Sequence, residues 1–406
     1  MSKGMQPLRI LIAPATYRIS NKIGGEPLVG YEFICSISKL ITASYVITNI
    51  ADVDFFPPNV HVSELHISLG GGNLEKTLFR LTCFKKALKI LKENKVDVIH
   101  QFHGAPINPL AFFKGTSSYP FVLGPVFYDP PQPYHEDDWL LPAGKSWSEF
   151  LSPTRLLKLN KVIENAIFNR AIMNEAVIKT LEGCDIVVAT TRAAKKFYGR
   201  ITDERKIKVI PEGVNTQAFS FSPPPKNYNI LALGAHFKHE GFEYLIKAMA
   251  MIVREFHEAR LHLLGDGPQR RTLEKLVRDL GLESNVTFHG FVRRREIPLF
   301  YKKCRLVCSP ALVKSSGLVP LEAMSSGRPI VATSTIGYRE TVIHGKTGFI
   351  VPVANPEALA EATMKLLADY DLCVRMGIEG RKIAEEKYDW SVIARQYYEI
   401  YKGISR

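Results

Sequence analysis

The sequence predicts an α/β protein with two doubly wound parallel sheets, one in each half of the chain. Short apolar runs alternate with helical patterns along the chain, which is the order that parallel sheets covered by helices require. A length of 406 residues is enough for two domains of ordinary size. A polar tract with three consecutive prolines separates the halves, and prolines stop any regular element there.

We therefore expect a Rossmann-like domain over residues 1–218, a linker over 219–228 and a second Rossmann-like domain over 229–386. Each short run rich in Ile, Leu and Val predicts a buried strand. In the first domain such strands are expected to start near residues 8, 96, 119, 185 and 206. In the second domain they are expected near residues 229, 260, 286 and 305.

Composition narrows the class of protein. The chain is 46% hydrophobic with a net charge of +13, and no apolar run approaches the roughly 18 residues that span a bilayer. The first residues are not expected to form a secretory signal. The six cysteines are scattered without zinc-type spacing, which favours buried thiols in a reducing compartment. We expect a soluble, cytoplasmic protein without a metal site.

Most of the positive charge of the first half lies on one helix, predicted over residues 74–95. Residues 74–96 contain seven Lys or Arg and only two Asp or Glu. Apolar side chains at positions 74, 78, 81, 84, 88 and 91 predict the core-facing stripe, with Lys85, Lys89 and Lys92 beside it. The lysines are interpreted either as a solvated rim or as a patch for an anionic membrane. Nucleic acid is not expected as a partner, because the charge lacks interleaved aromatic residues.

The segment from Lys314 to Gly327 is predicted to form the centre of the functional site. A polar loop ends at Gly317 and a helix is predicted to begin at once, since Pro320 is tolerated in a first helical turn. Gly327 is expected to end that helix in a left-handed conformation. The N–H groups and positive dipole end at Gly317 then form an anion site. Glu322, one turn into the helix, is placed to reach a sugar hydroxyl beside a bound phosphate.

This region, residues 307–353, resembles the nucleotide-sugar site of the retaining glycosyltransferases of GT-B fold, family 4. The matching pattern is Lys314, seven residues and Glu322, then Gly-Arg-Pro-Ile-Val from residue 327. A downstream segment from Glu340 and a helix capped by Asn355 also fit. The resemblance covers most of the chain, most closely after about residue 180. It implies two Rossmann-like domains facing across a cleft, with residues 387–406 as a helix that returns to the first domain.

The resemblance also implies an activity and a set of binding residues. It implies retaining transfer of a sugar from a nucleotide-diphosphate donor to the hydroxyl of a sugar or lipid-linked acceptor, with neither cofactor nor metal. Glu322 corresponds to the ribose-binding carboxylate of relatives, and a glycine loop after the first strand lies against donor and acceptor. The substrate-binding residues implied are Gly24, Gly25, Gly234, Ser316, Gly317, Leu318, Val319 and Glu322.

Three positions depart from the family's pattern for binding diphosphate and sugar. The family's Arg is Ala235, its Lys is Glu240, and the first Glu of the spaced pair is Lys314. One interpretation is an exchange of charges in which Glu240 and Lys314 form an ion pair. The other is that Lys314 and Lys238 supply the displaced positive charge, helped by His236 or His239.

Two histidines at the exit of the strand near residue 96 are further candidates. His100 and His103 could both face the cleft, because parallel sheets bind ligands at their carboxyl edge. Many relatives carry a sugar-contacting histidine near the next strand exit, where this chain has Gly124 and Pro125. We expect His103 to replace it, so that His103, Lys238 and Lys314 are the catalytic candidates.

Two segments and two functional hypotheses complete the sequence-based picture. Residues 127–148 are rich in proline, acids and aromatics and predict a loop over the cleft, and residues 153–181 predict a long helix.

The chain is either an active glycosyltransferase with rearranged diphosphate contacts, or a GT-B scaffold without turnover that serves as a nucleotide-sugar-binding or partner subunit.

Overall fold

A computed structural model describes residues 7–23, 25–68, 73–102, 119–127 and 177–405 of the chain. It contains two parallel sheets flanked by helices, one in each half, so the predicted α/β fold class is confirmed. The strands of both sheets are short runs of aliphatic residues. Helices cover both faces of such a sheet, so the side chains on both faces are shielded from water.

The first domain has a seven-stranded parallel sheet in the order β5-β3-β1-β6-β7-β8-β9, and β2 pairs with β4 beside it. Its described elements are β1 (Arg9–Ile12), β2 (Arg18–Ser20), α1 (Glu26–Ile37), β3 (Ala43–Thr48), β4 (Ile50–Asp52), β5 (Val60–Glu64), α2 (Asn73–Glu93), β6 (Val98–Gln101), β7 (Phe121–Val126), β8 (Ile186–Ala189), α3 (Arg192–Tyr198) and β9 (Ile207–Val209).

The second domain has a six-stranded parallel sheet in the order β12-β11-β10-β13-β14-β15. Its described elements are β10 (Asn229–Leu233), α4 (Phe242–Glu255), β11 (Arg260–Leu264), α5 (Arg270–Asp279), β12 (Val286–Gly290), α6 (Ile297–Lys303), β13 (Leu306–Ser309), α7 (Leu318–Ser325), β14 (Ile330–Thr333), α8 (Ile336–Thr341), β15 (Gly348–Val351), α9 (Pro356–Ala368), α10 (Tyr370–Ile383) and α11 (Trp390–Ile404).

The linker is held against the second domain by arginine side chains. Arg328 is fully buried and donates to the carbonyl of Ser222 (2.6 Å) and to that of Tyr301 (2.6 Å). Burial lowers its pKa to about 10. Arg381 donates to the carbonyls of Thr216 and Phe219, both at 2.9 Å. These hydrogen bonds therefore attach the linker to the second domain.

Helix α11 crosses from the second domain onto the first. It packs against α1, and its tyrosines join Phe33 and Phe102 in the core of the first domain. The Tyr401 hydroxyl lies 2.7 Å from Nδ1 of His100, whose Nε2 lies 2.8 Å from the carbonyl oxygen of Gly124. A carbonyl only accepts, so Nε2 carries the proton and Tyr401 donates to Nδ1.

These contacts correct the expectation that His100 faces the cleft. Its side chain is fully buried, and burial lowers its pKa to about 3, so it is neutral in the folded protein. The sequence showed a histidine at a strand exit. It could not show that the returning helix α11 covers that face of the sheet.

Tyr401→Phe is expected to lower the free energy of unfolding by about 1–3 kcal/mol, because it leaves Nδ1 of His100 buried without a donor. Urea unfolding at pH 7 measures this.

His100 gains a proton only on unfolding, so wild-type stability should fall below pH 6.5 by about 1.4 kcal/mol per pH unit relative to His100→Gln. Parallel pH curves for the two proteins would contradict the buried neutral imidazole.

Helix α2 is present as predicted, but the predicted core stripe is only partly right, since Phe84 and Leu91 pack against the core and three other members do not. The most deeply buried residues of this helix are Phe79, Cys83, Ala87 and Ile90, and the last three belong to the core beside the sheet. Leu78, Leu81 and Leu88 of the predicted stripe are 40%, 55% and 42% exposed. The helix carries two apolar stripes at helical spacing, and periodicity alone does not say which one meets the sheet.

No helix within the described residues is both long enough and apolar enough to cross a membrane. The six cysteines, all within the described ranges, are free, and five of them are buried. Burial raises the pKa of the thiols of Cys83, Cys304, Cys308 and Cys373, each to about 12. These thiols are protonated core side chains.

Candidate functional site

A cavity of about 170 Å³ lies where the two domains meet. The first domain lines it with the residues that follow β8 and β9, including Thr190, Thr191 and Arg192. The second domain contributes Ser316 and Gly317, which immediately precede α7, together with residues of α8. The N-terminal end of α7, the helix that carries Glu322, therefore borders the cavity between the domains.

The backbone that precedes α7 is held in place by residues of α8. Gly337 donates its N–H to the carbonyl of Lys314 at 2.9 Å. The Tyr338 ring is buried under Gly317, where an added Cβ would lie 3.0 Å from its Cε1. The Tyr338 hydroxyl is 2.6 Å from Oγ of Ser309, and burial raises the pKa of Tyr338 to about 12. Gly327 ends the helix with φ of +75°, as predicted.

Glu322 lies inside the second domain rather than open to the cavity. Its side chain is 3% exposed, with Oε1 2.6 Å from Arg294 Nη1. The Tyr301 hydroxyl donates to Oε2 at 2.9 Å. Burial and the nearby carboxylate raise the pKa of Tyr301 well above its usual value, so it remains a donor. Sequence reasoning missed both partners, which come from separate segments without any motif.

Three glycines lie at the ends of neighbouring strands of the second sheet. Gly234, Gly265 and Gly290 follow or end β10, β11 and β12, with φ of +156°, +116° and +66°. A Cβ on Gly265 would lie 1.9 Å from the carbonyl oxygen of Gly234. We name these three residues the glycine floor. It lies at the carboxyl edge of the sheet, where α/β proteins bind ligands. Gly234 is a predicted site residue, whereas Gly265 and Gly290 end predicted strands without having been predicted as site residues.

The predicted ion pair between Glu240 and Lys314 is present. Lys314 Nζ lies 2.6 Å from Glu240 Oε1, with the two side chains 29% and 10% exposed. His239 Nε2 is 3.6 Å from the same oxygen. The negative charge of Glu240 therefore matches the positive charge of Lys314, as the first interpretation expects.

The structure describes some of the remaining predicted site residues and not others. Lys238 lies in the turn before α4, while the ring of His236 is fully buried and desolvation lowers its pKa, which leaves it neutral. Gly25, with φ of +72°, precedes α1. His103 and Gly24 lie outside the described residues, as do nearly all of the predicted acceptor loop and most of the predicted helix over residues 153–181.

One carboxylate joins the domains across the cavity. Glu340 on α8 accepts hydrogen bonds from the backbone N–H groups of Arg192 (2.9 Å) and Ala193 (3.2 Å) at the start of α3. A negative charge is favourable at a helix N-terminus because of the helix dipole. In the described ranges, no three His, Cys, Asp or Glu side chains are grouped to hold a metal ion.

Comparisons with known proteins agree with this architecture. The profile of the family Glycosyl transferases group 1 matches residues 214–383. An uncharacterized glycosyltransferase of Methanocaldococcus jannaschii is 30% identical over 58% of this chain and 64% of its own length. A GDP-mannose-dependent alpha-(1-6)-phosphatidylinositol monomannoside mannosyltransferase of Mycobacterium tuberculosis is 30% identical over 55% and 63%. The chain thus spans less than two thirds of these relatives.

Similar solved structures extend over nearly the whole chain. Sucrose-phosphate synthase from Thermosynechococcus elongatus superposes with a TM-score of 0.71 at 22% identity, covering 98% of this chain and 99% of that one. The Anabaena protein HepE, solved with UDP, gives a TM-score of 0.69 at 20% identity, covering 98% and 100%. Residues 214–383 of this chain thus match the glycosyl transferases group 1 family, and the chain has the GT-B fold.

Proposed function

We propose that the chain is a retaining glycosyltransferase that moves a sugar from a nucleotide-diphosphate donor to a hydroxyl acceptor without a metal ion. The observation that carries the proposal is that the N-terminal end of α7 borders an interdomain cavity in a GT-B fold. The relatives support the donor class, since one is GDP-mannose-dependent and a structural neighbour was solved with UDP.

In this proposal, the donor diphosphate binds at the start of α7. The backbone groups of Ser316, Gly317, Leu318 and Val319 and the helix dipole face the negative charge that develops as the sugar leaves. Preformed donors of this kind commonly lower the barrier to group transfer more than any other feature of a site. Glu322 lines a smaller pocket beside α1, and there it accepts from the ribose hydroxyls with the lone pairs that Arg294 and Tyr301 leave open.

The remaining residues surround that diphosphate. Gly234 gives the nucleoside close access to backbone, and Gly24 with Gly25 covers the phosphates from the first domain. Lys238 and Lys314 flank the leaving group, Lys314 as a member of its pair with Glu240. His103 contacts the reacting sugar. The substitutions at positions 235, 240 and 314 thus rearrange the positive charge of the site.

The test is a panel of nucleotide sugars and free nucleotides, screened by thermal shift and then assayed for donor hydrolysis and transfer. A ligand present at a hundred times its Kd should add about 2.7 kcal/mol of stability and shift the melting temperature by several degrees. NMR of the product should show the donor's anomeric configuration, and EDTA should not change the rate. Absence of any nucleotide binding would refute the proposal, while binding without turnover would support the scaffold hypothesis.

The exposed stripe of α2 supports an anionic membrane surface as the second partner, with a lipid-linked acceptor. Leu81 and Leu88 lie on the solvent side of the helix, together with the exposed Lys85 and Lys89. Apolar side chains interleaved with cations are typical of helices that rest in a membrane interface. Each lysine near an anionic surface contributes about 1 kcal/mol.

Lys85→Glu/Lys89→Glu is therefore expected to weaken binding to phosphatidylserine-containing liposomes by about 30-fold or more, as measured by cosedimentation. The matched control is Lys382→Glu/Lys387→Glu, which makes the same charge change at two lysines of the second domain. Equal binding by the two variants would contradict a docking face on α2. Leu81→Ser/Leu88→Ser should also weaken binding without any change of charge.

A further inference from the structure

Arg294 occupies the point where Glu322, the linker and the first domain meet. Its Nη1 is 2.6 Å from Glu322 Oε1, and the Arg294 side chain is 14% exposed. The guanidinium also lies over the ring of Phe219 in the linker, 4.6 Å from the ring centre. The cation is therefore held in a fixed orientation by a carboxylate and an aromatic face.

A second carboxylate lines a pocket with this arginine and belongs to the first domain. Glu32 of α1 lines the same small pocket as Arg294, Glu322 and Leu318. The two oxygens of Glu32 are 3.3 and 3.4 Å from Nδ2 of Asn215, so these hydrogen bonds are long. Arg294 thus shares one pocket with a carboxylate of the second domain, which it contacts, and with a carboxylate of the first domain.

We propose that Arg294 is a positioning residue, which orients Glu322 for the nucleotide and links that orientation to the position of the first domain through Glu32. The inference rests on the proposed function. Glu322 has two candidate donors in the second domain, and Tyr301 holds one of its oxygens. Arg294 contacts the other oxygen, and it lines one pocket with Glu32 of α1.

The environment of Glu32 agrees with a functional role. Burial raises its pKa, whereas Asn215, Arg294 and Lys39 act in the opposite direction and Asp389 adds to the rise. A carboxyl whose folded-state pKa is raised stabilises the fold fully below its unfolded pKa, and this contribution is lost as pH rises through the folded value. Ionised Glu32 is therefore a cost to stability at neutral pH, which suits a residue kept for its charge.

The experiment compares Arg294→Gln, Glu32→Gln and the double variant, with UDP and GDP as probes in calorimetric titrations. Arg294→Gln is expected to weaken the better-bound nucleotide about tenfold to a hundredfold, since Glu322 loses a charged hydrogen bond. Glu32→Gln should weaken it less, and the double variant should be no worse than Arg294→Gln alone. Arg294→Lys should recover part of the loss.

A pH profile separates positioning from general destabilisation. Wild-type nucleotide affinity should fall as the pH is lowered and Glu32 becomes protonated, relative to a flatter profile for Glu32→Gln, because burial raises the pKa of Glu32. The control is Arg295→Gln, because Arg295 is 76% exposed and its nearest carboxylate oxygen, on Glu296, is 3.9 Å away. That control should bind nucleotide like the wild type.

The inference and the proposed function fail in different ways. A wild-type protein that binds neither nucleotide refutes the function itself. Normal nucleotide binding by a folded Arg294→Gln variant refutes the positioning role and leaves the function standing. Strictly additive effects of the Arg294 and Glu32 substitutions would remove the link to the first domain.

Discussion

Lys314→Ala is expected to lower the free energy of unfolding by about 3 kcal/mol, because it leaves the carboxylate of Glu240 buried without its cation. Glu240 is 10% exposed, and its Oε1 is the atom that Lys314 contacts at 2.6 Å. The lower end of the range for broken buried pairs applies, since the lysine is itself 29% exposed. Urea unfolding followed by circular dichroism measures the change.

The double exchange Glu240→Lys/Lys314→Glu is the sharper test, because it restores the charges that the family pattern places at these positions. Glu240→Lys alone should be the least stable variant, since it puts two ammonium groups together. The double exchange should recover most of the loss, which a double-mutant cycle reports as coupling energy.

Lys346→Ala is the matched control for the pair. Lys346 and Glu379 form an ion pair at 3.1 Å, but their side chains are 53% and 39% exposed. Exposed pairs contribute about 0–1 kcal/mol, so this variant should stay close to the wild type. If Lys314→Ala were as mild as this control, the buried pair would not be a determinant of stability in the site.

The order of elements and several helix ends could be predicted because their determinants are local. Asn355 illustrates this, since its side chain accepts the N–H of Ala358 at 2.8 Å and Pro356 opens the helix. Gly327 ends α7 for the equally local reason that its φ is +75°. Such features need only neighbouring residues, and these are visible in the sequence.

The interior of the site could be predicted only in part. The pair of Glu240 with Lys314 was foreseen because two opposite departures from one family pattern suggested an exchange. The partners of Glu322 were not, since Arg294 and Tyr301 lie on other segments and carry no spacing signal. The core-facing side of α2 was predicted only in part for a different reason, because two apolar stripes have the same helical period.

Gly265→Ala is expected to lower the free energy of unfolding by about 3 kcal/mol or more and to abolish nucleotide binding. A Cβ at this position would lie 1.9 Å from the carbonyl oxygen of Gly234, so the backbone of β10 or β11 must move. Its φ of +116° is also strained for any other residue. Both effects displace the glycine floor, which urea unfolding and calorimetric titration with UDP and GDP report separately.

Gly281→Ala separates the clash from the cost of positive φ. Gly281 has φ of +67°, but a Cβ there would meet no atom within 4 Å. This control should lose only about 1–2 kcal/mol, the cost of a left-handed conformation, and should bind nucleotide normally. If both glycine variants lost equal stability, strain alone would explain Gly265. If Gly265→Ala still bound nucleotide, the floor at the ends of β10, β11 and β12 would not be part of the binding site.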